Sequence, residues 1–278
     1  MRAVRPLWRA PESLGSPAVL LAVWLAGGLL LAFILLPILE LFAVQTAGTI
    51  LRVARQVDVR DALALSVVAS LLTAVVAAVF GVPFALLLAR AEFVGKSALA
   101  AIVDLPLTVP HTVAGIALLM VFGRQGVLGA PIGSLIGLRF WGTLAGIVVA
   151  MLFVSVPYTV NAARIAFENV DPRLEMVART LGMGPLQVLA RVTLPLAWRG
   201  IATGLTLTFA RSISEFGAVV ILVYYPMTAP VLIYEMFLRY GLENASAAAA
   251  LLLLVSLVLF VLFRHVAYGS RRPVGGGR

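Results

Sequence analysis

Few side chains in this sequence could carry out covalent chemistry. There are two histidines, His111 and His265, no cysteine, and no cluster of carboxylates. A metal centre, a thiolate nucleophile or a general acid–base pair therefore has little to be built from. Gly95-Lys96-Ser97 ends like a phosphate-binding loop. That loop needs a glycine five positions before Gly95, but Arg90 stands there and no strand precedes it. The residues imply no catalytic group, no metal and no cofactor. Any ATP hydrolysis coupled to this chain belongs on another polypeptide.

The informative polar residues lie inside apolar runs. Arg211 and Glu215, in RSISEFGA, are four apart and can pair on one helix face. With Ser212 and Ser214 they could line a polar path for an anion, or form a structural ion pair that fixes helix packing; ionisable groups within a span suggest function by default. Upstream, DLPLTVPHTVAG carries Pro106, Thr108, Pro110 and His111. Each proline removes a backbone donor and frees a carbonyl. Such a break is tolerated at membrane depth where it lines a cavity or is wrapped by protein. The alternatives are a pore-lining segment and a simple kink with His111 satisfied by a neighbour. Asp104 and Glu40 are expected near interfaces.

These residues sit in a chain that is 62% hydrophobic and only 12% charged, with mean hydropathy +1.07. A soluble domain has about a quarter charged residues, so this is an integral membrane protein. Runs of about 20 apolar residues select helices over a barrel. The expected fold is all-α with six transmembrane helices, near 18–44, 62–90, 98–122, 142–166, 198–223 and 244–266. Pro37 is expected to kink the first. Small residues from Ala69 to Gly81 suit close packing of the second. Residues 1–16 read as a cytoplasmic tail, 17–60 as the first helix and a connector, 61–266 as the core, and 267–278 as a disordered cytoplasmic tail. The net charge of +9 comes almost wholly from arginine. With the N-terminus inside, fourteen Arg/Lys fall on the cytoplasmic side against six outside, which favours cytoplasmic N- and C-termini.

Between the fourth and fifth spans lies DPRLEMVARTLGMGPLQVLARVTLPLAWRG, residues 171–200. Its arginines (Arg173, Arg179, Arg191, Arg199) keep it out of hydrocarbon and at the membrane face. Asp171 can cap a helix that begins with Pro172. Leu174, Val177, Ala178 and Leu181 form one helical stripe, and Gly182 suits a left-handed C-terminal stop. Gly184-Pro185 starts a second short helix with Leu186, Leu189 and Val192 on one side, and Pro195 is expected to end it. The result is a helix-turn-helix knuckle with apolar edges and basic faces.

This knuckle resembles the cytoplasmic coupling loop of type I ABC importer permeases, whose motif reads E-A-A-x3-G-x9-I-x-L-P. Met176-Val177-Ala178 stand at E-A-A, Gly182 at the glycine, Val192 at the isoleucine and Leu194-Pro195 at L-P. Met176 replaces the glutamate, with Glu175 one residue earlier. Residues 104–129 and 212–242 are similar to the molybdate/tungstate permeases, and the likeness spans roughly Asp61 to Phe263. The resemblance implies a homodimer with two ATP-binding cassette subunits and an extracytoplasmic oxyanion-binding protein, in the plasma membrane. It places the ATPase contact on the helix from Arg173 to Leu181, with Glu175 the candidate to take over the contacts of the motif glutamate. Sulfate permeases share much of the pattern and remain the alternative substrate class.

Three other classes fit less well. An ion-coupled secondary transporter usually shows repeated halves, and no convincing repeat is present. A helix-turn-helix reading nucleic acid would need polar base-reading side chains, which the short second helix lacks. An enzyme has too few reactive groups.

Overall fold

A computed structural model describes residues 16–268. The expected tails therefore lie outside the described residues, except for Ser16, Ala267 and Tyr268. Among the described residues every regular element is a helix. Four helices are long and apolar enough to cross a bilayer, and a fifth span is added if one bent pair counts as a single crossing.

The chain divides into two compact units, Met1–Thr49 and Ile50–Arg278. In the first, α1 (Pro17–Ala43) starts at Pro17 with the Ser16 hydroxyl accepting from Val19 N at 3.2 Å. It runs as one helix past Pro37. The expected connector that follows is largely helical: α2 (Ala47–Ala54) leads directly to α3 (Val57–Val76). The second span thus begins at Val57 and continues through a π turn, Ala77–Gly81, into α4 (Val82–Arg90). Pro83 explains that turn, because it lacks an N–H and its ring crowds the carbonyl one turn earlier.

The third predicted span is two helices. α5 (Lys96–Thr108) and α6 (His111–Phe122) meet at a bend of 112°. Pro110 forces Val109 out of the helical region, to φ −77° and ψ 129°, as the residue before a proline prefers. Pro106 stays within α5. The glycine-rich segment beyond α6 holds a short helix, α7 (Gly129–Ile136), ahead of α8 (Leu144–Glu168), the most deeply buried span.

The knuckle follows as α9 (Pro172–Thr180) and α10 (Pro185–Val188). Pro195 does not end the second helix. The backbone widens into a π turn at Leu189–Thr193 and continues as α11 (Leu194–Ile213). This is the solution used before Pro83. The fifth predicted span is likewise interrupted. α11 stops at Ile213 and α12 (Gly217–Leu222) restarts after Ser214, Glu215 and Phe216. The segment predicted as the last outer loop contains α13 (Ala229–Tyr240), and α14 (Leu242–Tyr268) closes the described chain.

The core centres on α8. Its buried Ile147, Ala150, Met151 and Val154 meet Ala114 and Leu118 of α6 and Val219 and Leu222 of α12. A second cluster joins Leu88 of α4, Val160 and Phe167 of α8, and Ala197 and Ile201 of α11. Between α8 and α11 runs a seam of small and hydroxylated residues. Thr159 and Thr208 hydroxyls lie 2.6 Å apart, and those of Ser155 and Ser212 lie 2.9 Å apart. A Cβ at Gly204 would sit 2.9 Å from Ala162 Cβ and 3.1 Å from backbone atoms of α8. Glycine there lets the backbones touch, which replaces hydrophobic driving force in a membrane.

Candidate functional site

Two groups of residues could carry function, one at the paired helix breaks and one at the knuckle. At the breaks, Arg211 Nη2 lies 2.8 Å from Glu215 Oε2 and 2.8 Å from His111 Nε2. His111 Nδ1 is 3.3 Å from the same carboxylate oxygen. Glu215 is almost fully buried, and its Oε1 accepts the backbone N–H of Ala218 at 2.9 Å. A carboxylate at a helix N-terminus satisfies an orphan donor and complements the dipole. Glu215 therefore caps α12 while pairing with the last turn of α11. A Cβ on Gly217 would meet His111 Cβ at 2.6 Å, so the starts of α6 and α12 are in direct contact.

The expected path residues thus separate into two sets. His111, Arg211 and Glu215 come together, and Ser214 Oγ accepts from Arg211 at 3.5 Å. Pro110 caps α6, and Thr108 bonds the Leu105 carbonyl within its own helix. Ser212 is elsewhere: it is fully buried in the α8 seam and donates to Thr208 O at 2.7 Å. Ser214, just past the end of α11, is three positions on from Arg211 and shares its face, whereas Ser212 is turned to another. Asp104 accepts from Asn161 Nδ2 of α8 at 2.6 Å.

At the knuckle, Asp171 accepts from Arg173 N at 2.9 Å and caps α9. Gly182 has φ +87°, a conformation that a side chain disfavours. The predicted stripe splits by depth: Ala178 is buried, while Leu174 and Val177 are about half exposed and Leu181 is 76% exposed; Met176, at the motif glutamate's position, is also about half exposed. Leu186, on α10, is 80% exposed. Arg173 is exposed, Val192 is half-buried in the π turn, and Leu194 and Pro195 open α11. Glu175 faces inward. Its Oε1 accepts from Arg90 Nη2 at 2.7 Å and from Thr193 Oγ1 at 2.9 Å. Sequence reasoning overlooked Arg90 and Thr193 as partners. The available signal was the one carboxylate within α9, on an otherwise basic knuckle, together with an arginine at the end of the second span.

On the segment between α12 and α13, Tyr224 donates its phenol hydrogen to Glu235. That bond, then partial desolvation and the charge of Glu235, raise the Tyr224 pKa above its ordinary 10.0, against an opposing effect of Arg239. The phenol therefore remains a donor through neutral pH. Among the described residues no group of three or more His, Asp or Glu side chains is placed to hold a metal.

A multi-pass helical membrane protein with an exposed, basic helix-turn-helix between spans is thus defined. Residues 81–272 match the family model described as binding-protein-dependent transport system inner membrane component, and the chain belongs to that family. It is 42% identical over 240 residues to the molybdate/tungstate transport system permease protein WtpB of Thermococcus kodakarensis, covering 86% of this chain and 92% of that one. It is 33% identical over 219 residues to a probable sulfate transport system permease protein, cysT, of Nephroselmis olivacea, covering 77% of each. The fold is similar to that of a bacterial ABC transporter importing alginate, with TM-score 0.74 at 18% identity, over 94% of this chain and 99% of that one.

Proposed function

We propose that this chain is the permease subunit of an ATP-driven importer that moves a tetrahedral oxyanion, molybdate or tungstate, into the cytoplasm. The observation that carries the reading is the apolar edge of the knuckle, Leu174, Val177, Leu181 and Leu186, left in contact with solvent on a segment too basic to enter lipid. Such a patch on a polar, membrane-surface segment marks a protein contact. In this reading six spans cross the plasma membrane with both termini cytoplasmic. Two copies assemble with two ATP-binding cassette subunits, and an extracytoplasmic binding protein delivers the anion. The 42% identity to a relative named for molybdate and tungstate supports that substrate, and the 33% identity to one named for sulfate supports sulfate as the second reading.

ATP-driven closure of the partner subunits draws the two knuckles together. That motion rocks the spans and opens the path to the outside, an alternating-access cycle. The paired breaks, Thr108–Pro110 and Ser214–Phe216, are where the spans can flex. His111, Arg211, Ser214 and Glu215 border the path there, with Ser212 behind them. Arg211 attracts the anion, while Glu215 tempers its charge so that release stays fast. Selectivity resides mainly in the binding protein, because a dianion needs more donors than the spans supply.

The test is ATP-dependent anion uptake by vesicles holding the assembled complex. Leu181→Asp places a charge in the apolar contact, at a cost of about 2 kcal/mol or more. Gly182→Pro demands a negative φ where the chain has a positive one. Both variants should insert normally yet lose uptake; normal uptake by either would refute the coupling role.

A further inference from the structure

Glu175 holds together three segments that are distant in sequence. Arg90 is in the last turn of α4, Thr193 is in the π turn that leads into α11, and Glu175 is in the middle of α9. One carboxylate oxygen receives both the Arg90 guanidinium at 2.7 Å and the Thr193 hydroxyl at 2.9 Å. The same Arg90 Nη2 donates to the carbonyl of Val170 at 3.1 Å, immediately before the Asp171 cap. Arg90 thus grips the knuckle at its entry and again at its first helix, and Thr193 grips it at its exit. Thr193 and Val170 are buried, and the Arg90 and Glu175 side chains are 26% and 16% exposed. This is a partly desolvated, charge-assisted contact, stronger than a surface ion pair. Arg90 Nε is buried without a partner, so the guanidinium fork holds a further donor at the same place.

We infer that Arg90, Glu175 and Thr193 form a latch that makes the knuckle move as one body with the second and fifth spans, and that they are positioning residues for energy coupling. The inference rests on the coupling role proposed above for the knuckle. A helix carrying an exposed apolar edge transmits a push only if it cannot swivel. A single helix of nine residues joined through a glycine at positive φ has little rigidity of its own. The latch supplies it by tying α9 to both spans at a point on the side opposite to solvent. Glu175 accordingly acts within the chain and does not reach toward the partner.

The experiment uses the full complex in proteoliposomes, measuring ATP hydrolysis and anion uptake on the same preparation. Glu175→Gln and Arg90→Gln should assemble and hydrolyse ATP within about twofold of the parent, while uptake per ATP falls about tenfold. The double variant should fall no further than either single one, as expected for residues acting as a unit. Arg90→Lys should retain more coupling than Arg90→Gln, and Thr193→Val should show a smaller loss of the same kind. An unchanged uptake-to-hydrolysis ratio in the glutamine variants overturns the latch. So does a parallel loss of hydrolysis, uptake and melting temperature, which marks a role in folding only. If Leu181→Asp is silent, the coupling reading fails instead; if Leu181→Asp abolishes uptake and the glutamine variants do not change the ratio, the latch alone fails.

Discussion

Arg211 and Glu215 pair at the i, i+4 spacing visible in the sequence, but the third and fourth partners were not visible there. His111 is 100 residues away along the chain, and the Ala218 N–H becomes an acceptor-seeking orphan only because α11 breaks at Ser214. Glu215 thus has two duties, as counter-ion and as helix cap. Arg211→Ala leaves a buried carboxylate without its cation and should lower stability by about 3–5 kcal/mol, read as a lower melting temperature in detergent. Arg211→Ala combined with Glu215→Ala removes the stranded charge and should recover part of that loss, while the lost cap still costs about 1 kcal/mol. If the double variant keeps full uptake, the pair is structural and the path runs elsewhere.

At the scale of elements, hydropathy located four of the six expected spans as continuous helices and a fifth as a bent pair, and proline located their trouble. Both are local properties. The outcome at each proline was not local. Pro110 broke its span by 112°, Pro37 and Pro106 sit inside continuous helices, and Pro83 and Pro195 are absorbed by π turns. The same missing donor gave three results, so a proline by itself marks where a span is weakened but does not fix how the backbone responds. The α8–α11 seam repeats this. Gly200, Gly204, Thr208 and Ser212 recur every four residues, a small-residue ridge readable in the sequence, yet its partner helix was not. Gly204→Leu should push α11 off α8 and cost about 1–3 kcal/mol, seen as loss of monodisperse protein on extraction. A silent Gly204→Leu would mean that the seam is not tightly packed.

For the whole molecule, the proposed importer makes the partner binding protein the judge of substrate. Competition calorimetry on that protein should show molybdate and tungstate displacing each other, with sulfate weaker by about 100-fold or more, a difference of about 2.7 kcal/mol. Sulfate binding equally well would move the assignment to the second reading.

The sequence by itself determined that this chain lives in a bilayer, that its spans are helices, and that a basic helix-turn-helix has a defined stop at Gly182. Each of these follows from composition, period and single-residue backbone preference. Only the tertiary structure decided that the spans break beside one another at His111 and Glu215, and that Glu175 points inward to Arg90 and Thr193. Those outcomes depend on which distant groups meet, and a charge in a poorly solvated place is satisfied by whatever partner the packing brings within hydrogen-bond reach.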